Sequence, residues 1–301
     1  MSELISADDM SDWMSKLPEP VWELSLSEIV IPGSHNSFSY RLDPGSELAP
    51  DANPALKLLG NGIIYKWAVT QDLSFKEQLE LGVRYFDLRV AFRKKTQNVH
   101  FCHSLYGMTV EDGIKEILDF LKEHPKEIAI LDFNHIFDMT EERHSEFINK
   151  LIEICGSKMC MYVGIESLTL SMLWENNVQV IIIYHYDKVE SESGNLWPGK
   201  KCIRAPWAQT ANIPRLLEFL SASLNNRDPG LFHVSQCVLT PDAGFLLGHL
   251  MGSLKNDLAK KVIPETVNWL KETRRKLNIV MADYVELNNF VKEVVMFNFK
   301  E

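Results

Sequence analysis

From about residue 26 onward, short apolar runs of strand length alternate with stretches whose apolar residues recur at helical spacing. The runs predict seven strands, over 26–31, 85–90, 99–103, 128–133, 178–184, 231–236 and 278–283, with an eighth over 202–205. Between them, Val110, Ile114, Ile117, Leu118 and Leu121 mark an amphipathic helix that stops before Pro125, and Phe147, Leu151 and Ile154 mark another over 141–154. Further helices are expected over 167–174, from Asn212 to Leu224 with Pro214 in the first turn, over 261–275, and around Phe290, Val291, Val294 and Val295. A capping box, Ser74-Phe75-Lys76-Glu77, opens a helix that ends at Gly82. Asp12, Trp13, Met14 and Leu17 before Pro18 and Pro20 suggest a short helix closing the bottom of a barrel or covering a sheet edge. Residues 41–66, rich in Pro and Gly, read as a long irregular loop serving a site, with one helical turn near Leu56.

Strands alternating with helices call for a parallel sheet, and about eight such units in ~250 residues favour closure. The expectation is an α/β chain forming one irregular (β/α)8 TIM barrel over 1–301, with 1–20 as a lead-in segment. No GxGxxG or GxxxxGK[ST] pattern follows a strand, which argues against a nucleotide cofactor and an open doubly wound sheet.

The strand tips carry the candidate chemistry. In 31–38 the apolar run meets Pro32 and Gly33, expected to break the strand and present His35 on a turn. Along 85–90, Phe86, Leu88 and Val90 share one face, while Asp87 and Arg89 share the other, pointing into the barrel. Two buried opposite charges mean either a structural ion pair or a functional site, and this strand alone leaves both readings open. The polar residues at strand ends are His35, Asn36, Asp87, Arg89, His103, Asn134, His185, Gln236 and Asp283, and in a barrel they converge on one mouth.

Composition narrows the partners. With 46% hydrophobic and 24% charged residues the chain is of globular type, and its net charge of -10 disfavours nucleic acid and any global attraction to anionic lipid. Membrane contact would be local and peripheral; Arg93-Lys94-Lys95 and Lys200-Lys201 with Arg204 are either such patches or solvated loops. Five cysteines without CxxC spacing, and an N-terminus without a long apolar stretch, point to a reduced cytoplasmic setting without signal peptide or zinc site. The longest apolar run, 178–184, is too short for a transmembrane segment.

Taken in order, Ile31-Pro32-Gly33-Ser34-His35-Asn36, the stretch 82–89, and Phe101-Cys102-His103 with Gly107 resemble the X domain of phosphatidylinositol-specific phospholipase C. Trp67-Ala68-Val69-Thr70-Gln71, Leu131-Asp132-Phe133-Asn134-His135, Leu196-Trp197-Pro198-Gly199-Lys200, Ala205-Pro206-Trp207-Ala208 and the stretch 282–287 resemble more closely the stand-alone X-domain-containing proteins of animals, over about residues 10–298. The resemblance implies a barrel that cleaves inositol phospholipids to diacylglycerol and an inositol phosphate, at least partly 1,2-cyclic. It implies His35 as general base, His103 as general acid and Asp283 as the carboxylate orienting His35. Arg89 stands where calcium-dependent members carry an acidic residue and metal-independent bacterial members an arginine, so calcium is disfavoured and no cofactor is expected. Asn134 also stands at an acidic ligand position, which leaves Asp87 the sole carboxylate there. Asn36 occupies the place of a bacterial aspartate, and asparagine is what the calcium-dependent members carry there as a ligand. That change either weakens acid catalysis by His103 or removes only an orienting contact. Asn36, Asn134 and His185 are expected to meet substrate, His185 in an inositol subsite or packed at the rim. The alternative to a phosphoinositide phosphodiesterase acting transiently at membranes is an inositide-binding or scaffold protein on the same barrel. A phosphodiesterase of glycerophosphodiesters or sphingolipid would need acidic metal ligands that are not found. Trp197 and Trp207 either touch lipid at the rim or fill the core, with the core favoured; His100 is expected in a structural role, and His124 and His144 on solvated surface.

Overall fold

The computed structural model describes residues 10–52, 59–186 and 194–299. Its strands are β1 (Ile31–Ser34), β2 (Tyr85–Arg93), β3 (Asn98–His103), β4 (Leu105–Thr109), β5 (Ala129–Phe137), β6 (Val180–Tyr184), β7 (Trp197–Pro198), β8 (Ile203–Arg204), β9 (Phe232–Cys237) and β10 (Ile279–Ala282). They are ordered β7-β6-β5-β2-β1-β10-β9-β8, each neighbouring pair parallel, in one curled sheet wrapped by helices. The two edge strands are joined by a single helical turn, Gly199–Cys202, rather than by a ladder, so the barrel is irregular at that seam. β6 is buried at all five positions, as expected of a parallel strand covered on both faces.

Local signals account for the helices. Thr109 caps Val110–Glu123, whose Val110, Ile114, Ile117 and Leu121 are buried; each such side chain contributes about 1.5–3 kcal/mol relative to exposure. Ser74 and Glu77 form the reciprocal capping box of Phe75–Leu81, and Gly82 ends that helix at φ 115°, in the left-handed region. Helices Glu141–Cys155, Ile213–Asn225, Lys260–Glu272 and Phe290–Val295 fall where periodicity predicts them. None of the described helices is long and apolar enough to cross a membrane.

Several expectations are corrected. The first strand begins at Ile31 and runs through Pro32 and Gly33 instead of ending at them. Pro32 lies one residue before the β1–β2 ladder begins at Gly33 and Tyr85, so its missing N–H costs no bond, and its carbonyl accepts from Arg84 N at 3.0 Å. At Gly33 a Cβ would come within 2.7 Å of the Tyr85 ring. The run 99–103 is no barrel strand: β3 pairs antiparallel with β2 and with β4. Only residues 94–97 separate β2 from β3, far short of a parallel crossover. Residues 61–68 form a helix, Asn61–Ala68, instead of loop, whereas the turn expected near Leu56 lies outside the described residues. The lead-in covers the sheet's lower end as expected, through turns and not a helix: Trp13 and Met14 are fully buried and Trp13 Nε1 donates to Gly82 O at 2.9 Å. His144 is buried, stacked on Tyr186 and bonded to Tyr184 Oη, and His124 is half-buried beside Asp12, so neither is simply solvated. His100 is structural, its Nδ1 2.8 Å from Gly107 O.

Candidate active site

Parallel register brings the strand ends to one mouth. There a cleft of about 650 Å³ is lined by His35, Asp87, Arg89, His103, Asn134, His185, Gln236 and Asp283, with Asn36 buried beside it. Eight of the nine tip residues therefore reach a common space, although His103 arrives on the β3–β4 hairpin and not on a barrel strand.

His35 follows β1 directly, and its Nδ1 lies 2.7 Å from Asp283 Oδ1 just after β10. An ionised carboxylate only accepts, so Nδ1 carries a proton; in the neutral ring Nε2 then holds the lone pair. Two donors meet that lone pair, Asn36 Nδ2 at 3.2 Å and Arg89 Nη2 at 3.4 Å. Asn36 sits at φ 41°, a conformation that asparagine tolerates, and its backbone N–H donates to Asp87 Oδ2 at 2.7 Å. With its amide nitrogen aimed at His35, Asn36 Oδ1 is left buried and without a partner.

Asp87 accepts from Asn36 N through one oxygen and from Asn134 Nδ2 through the other. Burial pushes its pKa up, but His35, Arg89 and these donors outweigh burial and hold it below the usual carboxylate value. Arg89 shares the face of Asp87 yet turns to His35, and its Nε is buried without a partner. The two charges are therefore not the self-contained ion pair that one reading of the strand allowed.

His103 donates from Nδ1 to Ala68 O at 2.7 Å, which leaves Nε2 as the variable position. Burial first, and then the Arg89 guanidinium, push its pKa down to about 3, which favours the neutral ring. The rings of His35 and His103 lie 6.4 Å apart, centroid to centroid. One imidazole oriented by a carboxylate, a second imidazole 6.4 Å away, and a guanidinium beside the first can move protons on either side of a bound anion.

On the far wall His185 Nε2 lies 2.9 Å from Asp132 Oδ1, and Tyr85 Oη donates to Asp132 Oδ2 at 2.6 Å. Burial lowers the His185 pKa, but Asp132 more than compensates and the net shift is upward. Gly199 makes room for this ring; a Cβ there would lie 2.4 Å from it. Gln236 instead donates to Ala205 O and Pro206 O, holding the chain beyond β8. Sequence reasoning missed Tyr85 and Asp132 as site residues, although period-2 spacing puts Tyr85 with Asp87 and Arg89, and Asp132 with Asn134. Asp51, whose carboxylate accepts from Ser104 N at 3.0 Å, and the Ala68 carbonyl carried no local signal. Trp197 is core, as expected, with Nε1 donating to Cys160 O; Trp207 is not, being 52% exposed at the cleft rim.

No family model matches the chain. Among curated proteins it is 42% identical to PI-PLC X domain-containing protein 2 of Mus musculus over 299 residues, covering 96% of this chain and 87% of that one. It is 46% identical to the Homo sapiens protein of the same name over 256 residues, covering 82% and 83%, and 30% identical to PI-PLC X domain-containing protein 1 of Homo sapiens over 304 residues, covering 96% and 92%. Among solved structures, the phosphatidylinositol-specific phospholipase C of Listeria monocytogenes superposes with a TM-score of 0.66 at 18% identity, covering 97% of this chain and all of that one. That of Staphylococcus aureus gives a TM-score of 0.69 at 18% identity, covering 95% and 97%. These superpositions establish the shared α/β barrel fold.

Proposed function

Because the chain belongs to the PI-PLC X domain-containing proteins, we propose that it is a phosphodiesterase of phosphatidylinositol-type lipids, releasing diacylglycerol and an inositol phosphate that is at least partly cyclic. The His35–Asp283 couple facing His103 across the cleft carries this reading. His35 Nε2 takes the proton of the inositol 2-hydroxyl, whose oxygen then bonds to phosphorus. As the bond from phosphorus to the diacylglycerol oxygen breaks, His103 Nε2 donates a proton to the departing oxygen. Asp283 stabilises the imidazolium formed on His35, and Arg89, whose Nε–H is without a partner, neutralises charge on the phosphoryl oxygens. Burial is the first cause of the low His103 pKa and the Arg89 charge the second; a bound phosphodiester anion counters the second and to that extent favours the protonated ring that acid catalysis needs. Asp87 keeps Asn36 and Asn134 in register, and His185 with Asn134 meets inositol hydroxyls.

The reaction is metal-independent in this reading. Both Asp87 oxygens are occupied by N–H donors, Asn134 turns its amide N–H and not its oxygen toward Asp87, and Arg89 holds the adjoining space, a donor set that does not suit calcium. Exposed Trp207 at the rim, and exposed Leu247 and Met251 on the stretch between the cleft-lining Leu246 and Leu254, support peripheral contact with a bilayer. Five unpaired, buried cysteines fit a reducing cytoplasmic setting. A second reading, an inositide-binding protein with faded catalysis, is favoured by Asn36 in place of a carboxylate beside a strongly depressed His103.

Phosphatidylinositol vesicles with EDTA or calcium, offered to the parent and to His35→Ala, separate these readings. Turnover in EDTA that disappears in the variant is the expected result. Binding without turnover in either condition would favour the second reading, and turnover only with calcium would reject metal independence.

A further inference from the structure

His35 and His103 sit on different parts of the sheet, yet one short link touches both. Residues 68–71 join helix Asn61–Ala68 to the capping box of helix Phe75–Leu81. At the start of the link the Ala68 carbonyl accepts from His103 Nδ1 at 2.7 Å. Two residues on, Thr70 Oγ1 donates to His35 O at 2.8 Å, and Gln71 Nε2 donates both to His35 O at 3.0 Å and to Ala282 O at 2.9 Å. The turn after Asp283 grips the same link: Tyr284 N donates to Thr70 O and Tyr284 Oη to Val69 O, both at 2.7 Å, and Val285 N donates to Gln71 Oε1 at 3.2 Å.

Gln71 is fully buried and spends its whole amide on three backbone segments: the tip of β1, the tip of β10 and the turn beyond it. Its donors end on the carbonyls of His35 itself and of the residue preceding Asp283. On the other side, the Ala68 carbonyl belongs to the last turn of a helix, where carbonyl groups lack intrahelical partners and bear the negative end of the dipole. His103 fills that vacancy with its Nδ1 proton, which keeps Nε2 as the nitrogen that exchanges protons.

We propose that residues 68–71 act as one positioning link that sets the separation and the tautomers of His35 and His103 together, with Gln71 as its anchor. The inference rests on the reading of the two histidines as base and acid. Releasing the anchor lets the link shift as a body, so that a change made beside His35 is felt at His103, which Gln71 does not touch. Misplacing reacting groups by about 1 Å costs on the order of 10²-fold in rate.

Gln71→Met keeps the length and removes the polar atoms. In ligand-free protein labelled with 15N-histidine, long-range 1H–15N spectra report which ring nitrogen of His103 carries the proton. The expected result is loss of the single Nδ1–H tautomer of His103 in Gln71→Met, with kcat on phosphatidylinositol vesicles lower by about 10²-fold and KM unchanged. An unchanged His103 tautomer, or a change confined to His35, in a variant that still melts cooperatively would overturn the proposal. Should Gln71→Met not fold, Thr70→Val, which loses one hydroxyl from the same link, is held to the same spectral criterion. The spectra need no turnover, so absence of activity in the parent would count against the phosphodiesterase while leaving the link decided by His103.

Discussion

Two arginines five residues apart, one just before β2 and one midway along it at the cleft, live under opposite rules. Arg84, just before the strand, is fully buried at the lower end of the sheet. Its Nε and Nη2 reach Glu127 Oε2 at 2.9 and 2.8 Å, Nη1 donates to Leu79 O and Val83 O, and Nη2 also donates to Ser11 O. Glu127 in turn accepts from Met14 N and Ser15 N through its other oxygen. Arg89, at the mouth, reaches His35 at a long 3.4 Å and keeps a buried, unpaired Nε. A buried charge with its bonds completed by its own chain ties elements together, whereas one left incomplete beside a cleft awaits a ligand. Burial alone does not separate these cases; the remaining bonding capacity does.

The sharpest test of the contrast is removal of the base. His35→Ala is expected to lower kcat on phosphatidylinositol vesicles by about 10²–10⁴-fold while leaving the urea midpoint nearly in place, since general base catalysis contributes on this scale. The mirror experiment, Arg84→Leu, strands Glu127 in the interior. It is expected to cost about 3–5 kcal/mol in urea unfolding, with little change in turnover per folded molecule. A large stability loss from the first variant, or a specific rate loss from the second, would erase the distinction between the two ends.

Arg89→Gln probes the mouth more gently. The rate is expected to fall about 10²-fold, with stability unchanged or slightly raised, because the charge removed is poorly bonded before substrate arrives. Asn36→Asp adds a carboxylate beside both imidazoles, which favours their charged forms, so the acid limb of kcat/KM should move to higher pH. The smallest effect is expected at His185, whose pKa is raised by Asp132. Its contribution is fully present below the unfolded value of about 6.5 and is lost as pH rises through the raised folded value. Urea unfolding of parent and His185→Gln across pH 5–9 should converge at the alkaline end; divergence there would reverse the sign assigned to Asp132.

Much of this was legible in the chain because it depends on local order. Period-2 spacing sent Asp87 and Arg89 to one face, the capping box at Ser74 started a helix where it should, and the tips at His35, Asn134, His185 and Asp283 did converge. The misread places were those where a neighbour in space overrules local preference. Pro32 continues a strand because β2 asks nothing of its nitrogen. The run ending at His103 looked like another barrel strand, but its short connection folds it back on β2 as a hairpin. For Trp207 the favoured core placement gives way to the rim placement that was the alternative, since it stands half-exposed at the cleft.

Residue types and spacing in the sequence determined the strand–helix alternation, the inward face of β2 and the imidazoles, carboxylates and guanidinium available at the strand tips. Tertiary structure alone decided which nitrogen of each imidazole carries the proton, that Asn36 turns its amide toward His35, and that Arg84 is sealed while Arg89 is left open. For the two imidazoles the partners lie 35 and 248 residues away along the chain, Ala68 for His103 and Asp283 for His35. Periodicity governs which way a side chain points, but its proton and its remaining valence are set by whatever the fold brings within about 3 Å.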